Sequence, residues 1–289
     1  MAITAALVKE LRERTGLGMM DCKKALEETD GDLEQAIEEL RKKSSLKAAK
    51  KAGRTTADGL LGLKVAEDGS RGAIIEVNIE TDFAAKNEKF IAFVAKTLDA
   101  VFESDDGQLA TVMAAGLDAE RETLVQEIGE NVSVRRAQLV TSENGGVASY
   151  LHGDNRKGTL VVLSASNADV GRDIAMHVTA LSPMVVNSSD VPAGLLAKER
   201  EIYTTQAQDS GKPPEIIEKM VEGRVKKYLA EVSLVDQPFV KDPSQKVGQL
   251  ASTAGAVVVN FVRFEVGEGI EVEEEDFAAE VAAQLKGAE

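Results

Sequence analysis

Cysteine, histidine and aromatic residues are scarce in this 289-residue chain, and each shortage excludes something. Cys22 is the only cysteine, so no intramolecular disulfide can form, as expected for a reducing compartment. Two histidines, His152 and His177, without a cysteine cluster leave no ligand set for a structural zinc. Tryptophan is absent and aromatics make up 4% of residues, which argues against base-stacking platforms and aromatic-lined sugar or cation pockets. No stretch approaches the roughly 18 uninterrupted apolar residues of a membrane helix. The opening MAITAALVKELRER has no basic leader, long apolar run or small-residue cleavage site. Positive charge is also in short supply: 34 Lys and Arg face 49 Asp and Glu, and a net charge of −15 suits phosphate binding poorly. Phosphate-binding glycine loops, nucleophile elbows and metal motifs are missing; Gly16–Gly18 and Gly145-Gly146 read as turns. The expectation is a cytoplasmic protein with no cofactor, no metal, no membrane contact and no direct nucleic-acid binding.

The charge that is present is unevenly placed. Residues 1–54 hold 12 basic and 10 acidic side chains, whereas the remaining 235 hold 22 basic and 39 acidic. A positive N-terminal module and an acidic body with an acidic tail follow from that split. Hydrophobic residues at 43% supply an ordinary core, and the length suggests about two domains or one with appendages.

Residues 4–43 read as three short helices. Leu7, Val8 and Leu11 mark the first, which ends at Thr15-Gly16-Leu17-Gly18. Cys22, Ala25 and Leu26 mark the second, ending at Asp30-Gly31. Asp32, with Gln35 three residues on, reads as the cap of the third, whose stripe is Leu33, Ala36, Ile37 and Leu40. Residues 42–54 are basic and small, a composition that favours a partly helical linker over an RNA-binding patch. From Gly59 the apolar period becomes two: Leu61, Leu63 and Val65, a turn at 68–72, then a return over 73–79, which predicts a hairpin. Helices over about 84–102 and 117–129 and a strand over 132–140 follow. The order then recurs, with a hairpin over 146–152 and 159–164, a helix over 170–181 and a closing strand over 257–266. This predicts two α+β subdomains related by internal duplication. The second is interrupted by two apolar-striped segments around Gly211-Lys212-Pro213-Pro214, an antiparallel helical hairpin. Phe277, Val281 and Leu285 mark a last amphipathic helix from about Glu273. The expected organisation is α+β: a three-helix domain and linker at 1–54 and a first core subdomain at 55–142. A second core subdomain spans 143–188 and 234–268, around the hairpin at 189–233, and a C-terminal module covers 269–289.

Carboxylates are too abundant for pairing by sequence to carry meaning. Glu76, Glu80 and Asp82 occupy alternate positions near a strand end, where two could serve as acid and base, but solvated carboxylates on an exposed sheet face are the preferred reading. Thr81-Asp82-Phe83 stands between strand and helix, so Thr81 or Asp82 can cap the helix. By pattern alone, Phe83 is better read as partly buried than as a wedge for a partner's pocket. His152 ends a strand at a hairpin rim, free to meet either a partner or water. His177, on an amphipathic helix, reads as a satisfied buried histidine.

Several of these segments, in order, resemble the bacterial elongation factor Ts family. They are Thr15–Leu26 (TGLGMMDCKKAL), Glu80–Asn87 (ETDFAAKN), Gly129-Glu130-Asn131, Tyr150–Gly153, Gly211-Lys212-Pro213, Lys219–Arg224, Gln237–Val240 and Arg263–Gly269. The likeness spans essentially the whole chain. It implies a guanine-nucleotide exchange factor, with no covalent chemistry, acting on elongation factor Tu in its GDP-bound and nucleotide-free forms. It further implies that Asp82 and Phe83 form an intruding corner that disturbs Mg²⁺ and phosphate binding, and that His152 contacts the GTPase. Met19, Met20 and Lys23 would dock the N-terminal bundle, the second subdomain would meet a non-catalytic domain of the GTPase, and the hairpin corresponds to a projecting coiled coil. Whether two copies pair in the complex stays open. Two other classes remain to be weighed: a ubiquitin-associated-type binding module on an α+β scaffold, and a hydrolase using Glu80 and Asp82. The latter requires a deep pocket with raised carboxylate pKa values, and an exposed Asp82 at a convex corner dismisses it.

Overall fold

The computed structural model describes residues 3–208 and 212–271. Its first three helices are α1 (Ala5–Thr15), α2 (Met19–Glu28) and α3 (Leu33–Lys51). Thr4 caps α1 by accepting the Leu7 N–H, and Asp32 caps α3 by accepting that of Gln35 at 3.0 Å. Val8, Leu11, Leu17, Cys22, Ala25, Leu26, Ala36 and Leu40 form the bundle's core. The expected linker is a correction: α3 continues unbroken to Lys51. Beyond Leu40 its buried positions become Ser44 and Ala48, side chains small enough to let another helix approach. That helix is α7 (Asp118–Ile128), reached by bonds from Ser44 to Gln126 and from Ser45 to Glu122. The segment expected as a partly helical linker is therefore helix as far as Lys51: its Lys, Leu and Ala residues favour helix, and packing against α7 holds it.

The chain is α+β, as expected. Strands β1 (Asp58–Val65), β2 (Arg71–Ile79) and β3 (Val132–Thr141) form one antiparallel sheet in that order. Strands β4 (Gly146–Leu151), β5 (Lys157–Leu163) and β8 (Val258–Glu265) form another with the same order: hairpin first, closing strand at the edge. The sheets face each other across Leu61, Ile74, Val140, Val147, Leu160, Val162, Phe264 and Val266. At Gly72 they come so close that a Cβ would lie 2.8 Å from Val147. On its other face the first sheet packs against α5 (Glu88–Glu103) and α7 through Ile75, Val77, Ile79, Phe90, Val94 and Val125. The second packs against α8 (Ala168–Leu181) through Val161, Leu163, Ile174 and Val178. Helices therefore cover both outer faces, and β2, buried on both sides, reads as a nearly continuous apolar run.

The helix expected over 84–102 is two helices. Asn87 accepts the Lys89 N–H at 2.9 Å and starts α5, which separates off a single turn, α4 (Asp82–Ala85). A short helix, α6 (Leu109–Val112), and a π-helical turn at Met113–Leu117 lead into α7. The helical hairpin is α9 (Ala193–Gln208) and α10 (Pro214–Val232), joined along Leu196, Tyr203, Ala207, Ile217, Val221, Val225 and Leu229. On α9, Leu196 and Tyr203, seven residues apart, pack inward, whereas Ile202 is exposed. A small hairpin of β6 (Pro238–Phe239) and β7 (Asp242–Lys246), then α11 (Val247–Thr253), lead to β8 and carry no clear periodic signal in the sequence. The C-terminal helix expected from Glu273 lies outside the described residues.

Glu76 is a second correction. Instead of lying on a solvated sheet face, it is fully buried on the side of β2 that faces the second sheet. A bulge opposite Glu76 and Val77 inserts Arg135 into β3, so that both Arg135 (3.1 Å) and Arg136 (2.5 Å) reach the same carboxylate. Asn78 donates to it at 3.1 Å, and the Gly267 N–H, beyond β8, donates at 2.9 Å. Burial alone would raise the Glu76 pKa, but the Gly267 N–H, Arg136 and Asn78 together hold it below its ordinary 4.5. A carboxylate with a lowered folded-state pKa contributes stability that is complete above the unfolded value and lost as pH falls through the folded one. Glu76→Ala is therefore expected to cost about 3–5 kcal/mol at neutral pH, as for other broken buried pairs. In urea melts the difference from wild type should narrow steadily below about pH 4.5, the ordinary value of a glutamate carboxyl.

Candidate functional site

The exposed rim where β2 ends and α4 begins is built from three backbone reversals. The first is residues 80–83. Thr81 adopts an extended conformation and its Oγ1 accepts the Ala84 N–H at 3.2 Å, which makes it the cap and leaves Asp82 and Phe83 as the first residues of α4. Four helical residues give Phe83 no apolar face to lie on, and its side chain is 81% exposed. The Lys86 ammonium lies 5.4 Å from its ring centre. Exposing a whole phenyl ring forgoes about 2 kcal/mol of burial, so this is an exception to how large apolar side chains are normally placed. Asp82 is exposed as well and pairs with Lys86 at 2.8 Å. The Lys86 hydrogen bond, with smaller help from the Phe83 N–H and the Arg156 charge, holds the Asp82 carboxyl below the usual carboxylate range.

The second reversal is Gly129-Glu130-Asn131. Gly129, at φ +88°, ends α7 in the left-handed conformation. Glu130 then accepts both the N–H (3.0 Å) and the hydroxyl (2.8 Å) of Thr81. Asn131, which is buried, donates its N–H to Glu80 at 2.6 Å and its side-chain amide to the Arg54 carbonyl at 3.1 Å. Arg54 in turn lies 3.4 Å from Glu80. The end of α3, the end of α7 and the corner are thus tied in one knot.

The third reversal is the β4–β5 turn that carries His152. It leans on β1: the Leu61 N–H donates to the Asn155 carbonyl at 2.8 Å, and Arg156 pairs with Asp58. Since Asp58 is paired with Ile79 across the first sheet, this turn and the corner share one rim. His152 is exposed, its Nδ1 3.3 Å from the Tyr150 hydroxyl. His177, by contrast, is fully buried, accepting the Val240 N–H at Nδ1 and donating from Nε2 to Gln237; burial lowers its pKa. It is a structural histidine, as expected.

Met19, Met20 and Lys23 lie on α2, across a neighbouring link. Lys89, in the first turn of α5, bonds the Gly16 carbonyl (3.3 Å) and Glu127 (2.7 Å), which fixes the 16–18 turn beside the corner's end of α5. Leu17 is buried and anchors that turn, so Met19 and Met20 emerge 56% and 74% exposed. Lys23 is exposed and 3.7 Å from Glu27. Methionine side chains are flexible and polarisable, and here two of them stand exposed side by side.

As a chemical centre the rim is poor. Asp82 is on a convex corner with a lowered pKa, and Glu80 is occupied by Asn131 and Arg54, which dismisses the hydrolase reading. Among the described residues no three His, Cys, Asp or Glu side chains converge as a metal site, and no helix is long and apolar enough to cross a membrane.

A family model described as elongation factor TS matches residues 80–268, from the corner to the end of the Glu76 clasp. Proteins named elongation factor Ts from Hahella chejuensis and Saccharophagus degradans are 57% and 58% identical to it, over 99% of this chain and 99% and 98% of theirs. The chain belongs to the elongation factor Ts family. A third member, from Cellvibrio japonicus, is 56% identical over 98% of this chain and 97% of its own. Full-length identity to elongation factor Ts proteins also sets aside a ubiquitin-associated module on an unrelated scaffold. The roles of Glu80, Glu130, Asn131 and Arg156 in building the rim escaped sequence reasoning, because each partner is about 26 residues or more away along the chain. Phe83 touches no core cluster, so Phe83→Ala should shift stability by no more than about 0.5 kcal/mol in a thermal or urea melt.

Proposed function

We propose that this protein is a guanine-nucleotide exchange factor that binds elongation factor Tu and speeds release of GDP. The observation that carries this reading is an 81%-exposed Phe83 held at a rigid corner, within a chain of the elongation factor Ts family. An exposed aromatic on a convex, well-braced turn is suited to enter an apolar pocket of a partner, where such side chains supply a large share of binding energy. Asp82 beside it carries a firmly ionised carboxylate. Placed next to the GTPase's nucleotide, the pair displaces elements that hold Mg²⁺. Because Mg²⁺ neutralises the phosphates of bound GDP, loosening it weakens nucleotide retention. The coupling is reciprocal: to the extent that the factor weakens GDP binding, GDP weakens binding of the factor.

The remaining contacts follow from the rim. His152, on the turn clamped to β1 by Arg156, meets the GTPase near its phosphate-binding region. Met19, Met20 and Lys23 dock the N-terminal bundle on the GTPase's nucleotide domain, and the second sheet with α8 meets another of its domains. We divide the chain accordingly: a docking bundle at 1–54, core subdomains at 55–142 and at 143–188 with 234–268, a coiled-coil hairpin at 189–233 and a C-terminal module from 269. No step makes or breaks a covalent bond, no nucleic acid is touched, and the setting is the cytoplasm. The acidic body sets the long-range field for association.

The test is release of a fluorescent GDP analogue from a bacterial elongation factor Tu. Wild-type protein should accelerate release strongly; no acceleration would sink the reading. Replacing both Asp82 and Phe83 by Ala should slow the stimulated rate by about 30-fold, the loss of one hot spot of roughly 2 kcal/mol, with an unchanged melting curve.

A further inference from the structure

We propose that Glu130 is a positioning residue for exchange: its carboxylate, by gripping Thr81, holds the Asp82–Phe83 corner in its binding conformation before the partner arrives. The inference rests on the exchange reading and adds to it a residue that does not itself enter the partner's site.

Asp82 and Phe83 have little of their own to keep them in place. Both are exposed, and Lys86, itself exposed, pairs with Asp82 from four residues away and lies over the Phe83 ring from three. A four-residue helix is far too short to be stable by itself, and an exposed phenyl ring favours any rearrangement that covers it. The restraint comes from the residue before them. Thr81 donates two bonds at once to Glu130, from its N–H at 3.0 Å and from its hydroxyl at 2.8 Å, and its oxygen caps α4 by accepting the Ala84 N–H. One residue further back, Glu80 accepts the Asn131 N–H at 2.6 Å. The two segments therefore exchange adjacent bonds, Glu80 with Asn131 and Thr81 with Glu130, so residues 80–81 can neither rotate nor slide. Bonds to a carboxylate are about twice as strong as neutral ones. Gly129 supplies the left-handed turn that aims Glu130 at Thr81.

A residue that pre-organises a binding loop acts on association, because a loosened corner must be ordered when the partner binds. Once bound, the corner is the same. Full-length Glu130→Ala is therefore expected to raise the factor concentration giving half-maximal GDP release by about ten-fold, with the limiting rate kept within about two-fold. Glu130→Gln, whose amide oxygen still accepts the Thr81 N–H, should recover most of that loss. Thr81→Val removes the hydroxyl partner and the α4 cap together, and should give a shift at least as large; Glu130→Asp, which shortens the grip and leaves the Thr81 cap intact, carries the test if Glu130→Ala does not fold. Amide hydrogen exchange supplies a readout independent of the GTPase: amides at 81–85 should exchange about ten-fold faster in Glu130→Ala, with β2 and α5 unchanged. Unchanged exchange at the corner overturns the proposal, as does a fall in limiting rate at an unchanged half-saturation point, which would make Glu130 a direct contact. If wild-type protein fails to release GDP, the exchange reading falls, while the hydrogen-exchange comparison still decides whether Glu130 holds the corner.

Discussion

Glu76 carries a negative charge into a region closed to water, and much of the core is arranged to keep that charge satisfied. A lone buried carboxylate would cost several kcal/mol, so its neighbours must supply both opposite charge and hydrogen bonds. They come from three parts of the chain: Asn78 on the same strand, Arg135 and Arg136 at the bulge in β3, and the Gly267 N–H after β8. The last of these follows the strand that closes the second sheet, while the rest belong to the first. Arg136 also lies over the Phe264 ring, at 4.1 Å, where the two sheets meet. The clasp therefore ties the sheets together at the edge of their shared apolar layer.

Two joined sheets give the molecule a rigid rim. The corner at 80–83 extends directly from β2, and the His152 turn joins β4 to β5 and leans on β1, so both inherit their position from the paired sheets. Around them the polar bonds are local clamps: Glu130 on Thr81, Asn131 on Glu80, Arg156 on Asp58, Lys89 on Gly16. Each lies near the surface and would be modest by itself. Their joint effect is geometric: they hold an exposed phenylalanine where neither core nor solvent would otherwise place it. On the proposed function, a surface held in this way trades stability for readiness.

Much of this was legible in the sequence. The bundle's stripes, the period-two runs of both hairpins, the repeated order of elements and the two arms of the helical hairpin are all local patterns, and the structure follows them. What misled was local as well. Residues 42–51 look like a linker because their composition is basic and small, yet Ser44 and Ala48 are small because α7 packs there. Glu76 looks solvated because it is charged, yet it sits within an apolar run in a strand buried on both faces, and such a setting already called for distant cations. Phe83 looked partly buried because apolar residues usually are; its exposure follows from a helix that Asn87 ends after one turn.

The sequence by itself determined the family, the classes of element and their order, because motif, periodicity and turn chemistry act over a few neighbouring residues. It also excluded disulfides and the commoner catalytic motifs through the residues it lacks. Only the tertiary structure decided which carboxylates are buried, which reversals share a rim and what holds Thr81 in place. Apart from Asn78, two residues from Glu76, those outcomes depend on partners from 26 to 191 residues apart, Arg54 with Glu80 being the nearest of these and Glu76 with Gly267 the farthest. No local pattern encodes a contact at that separation; it exists only once the sheets have closed on one another.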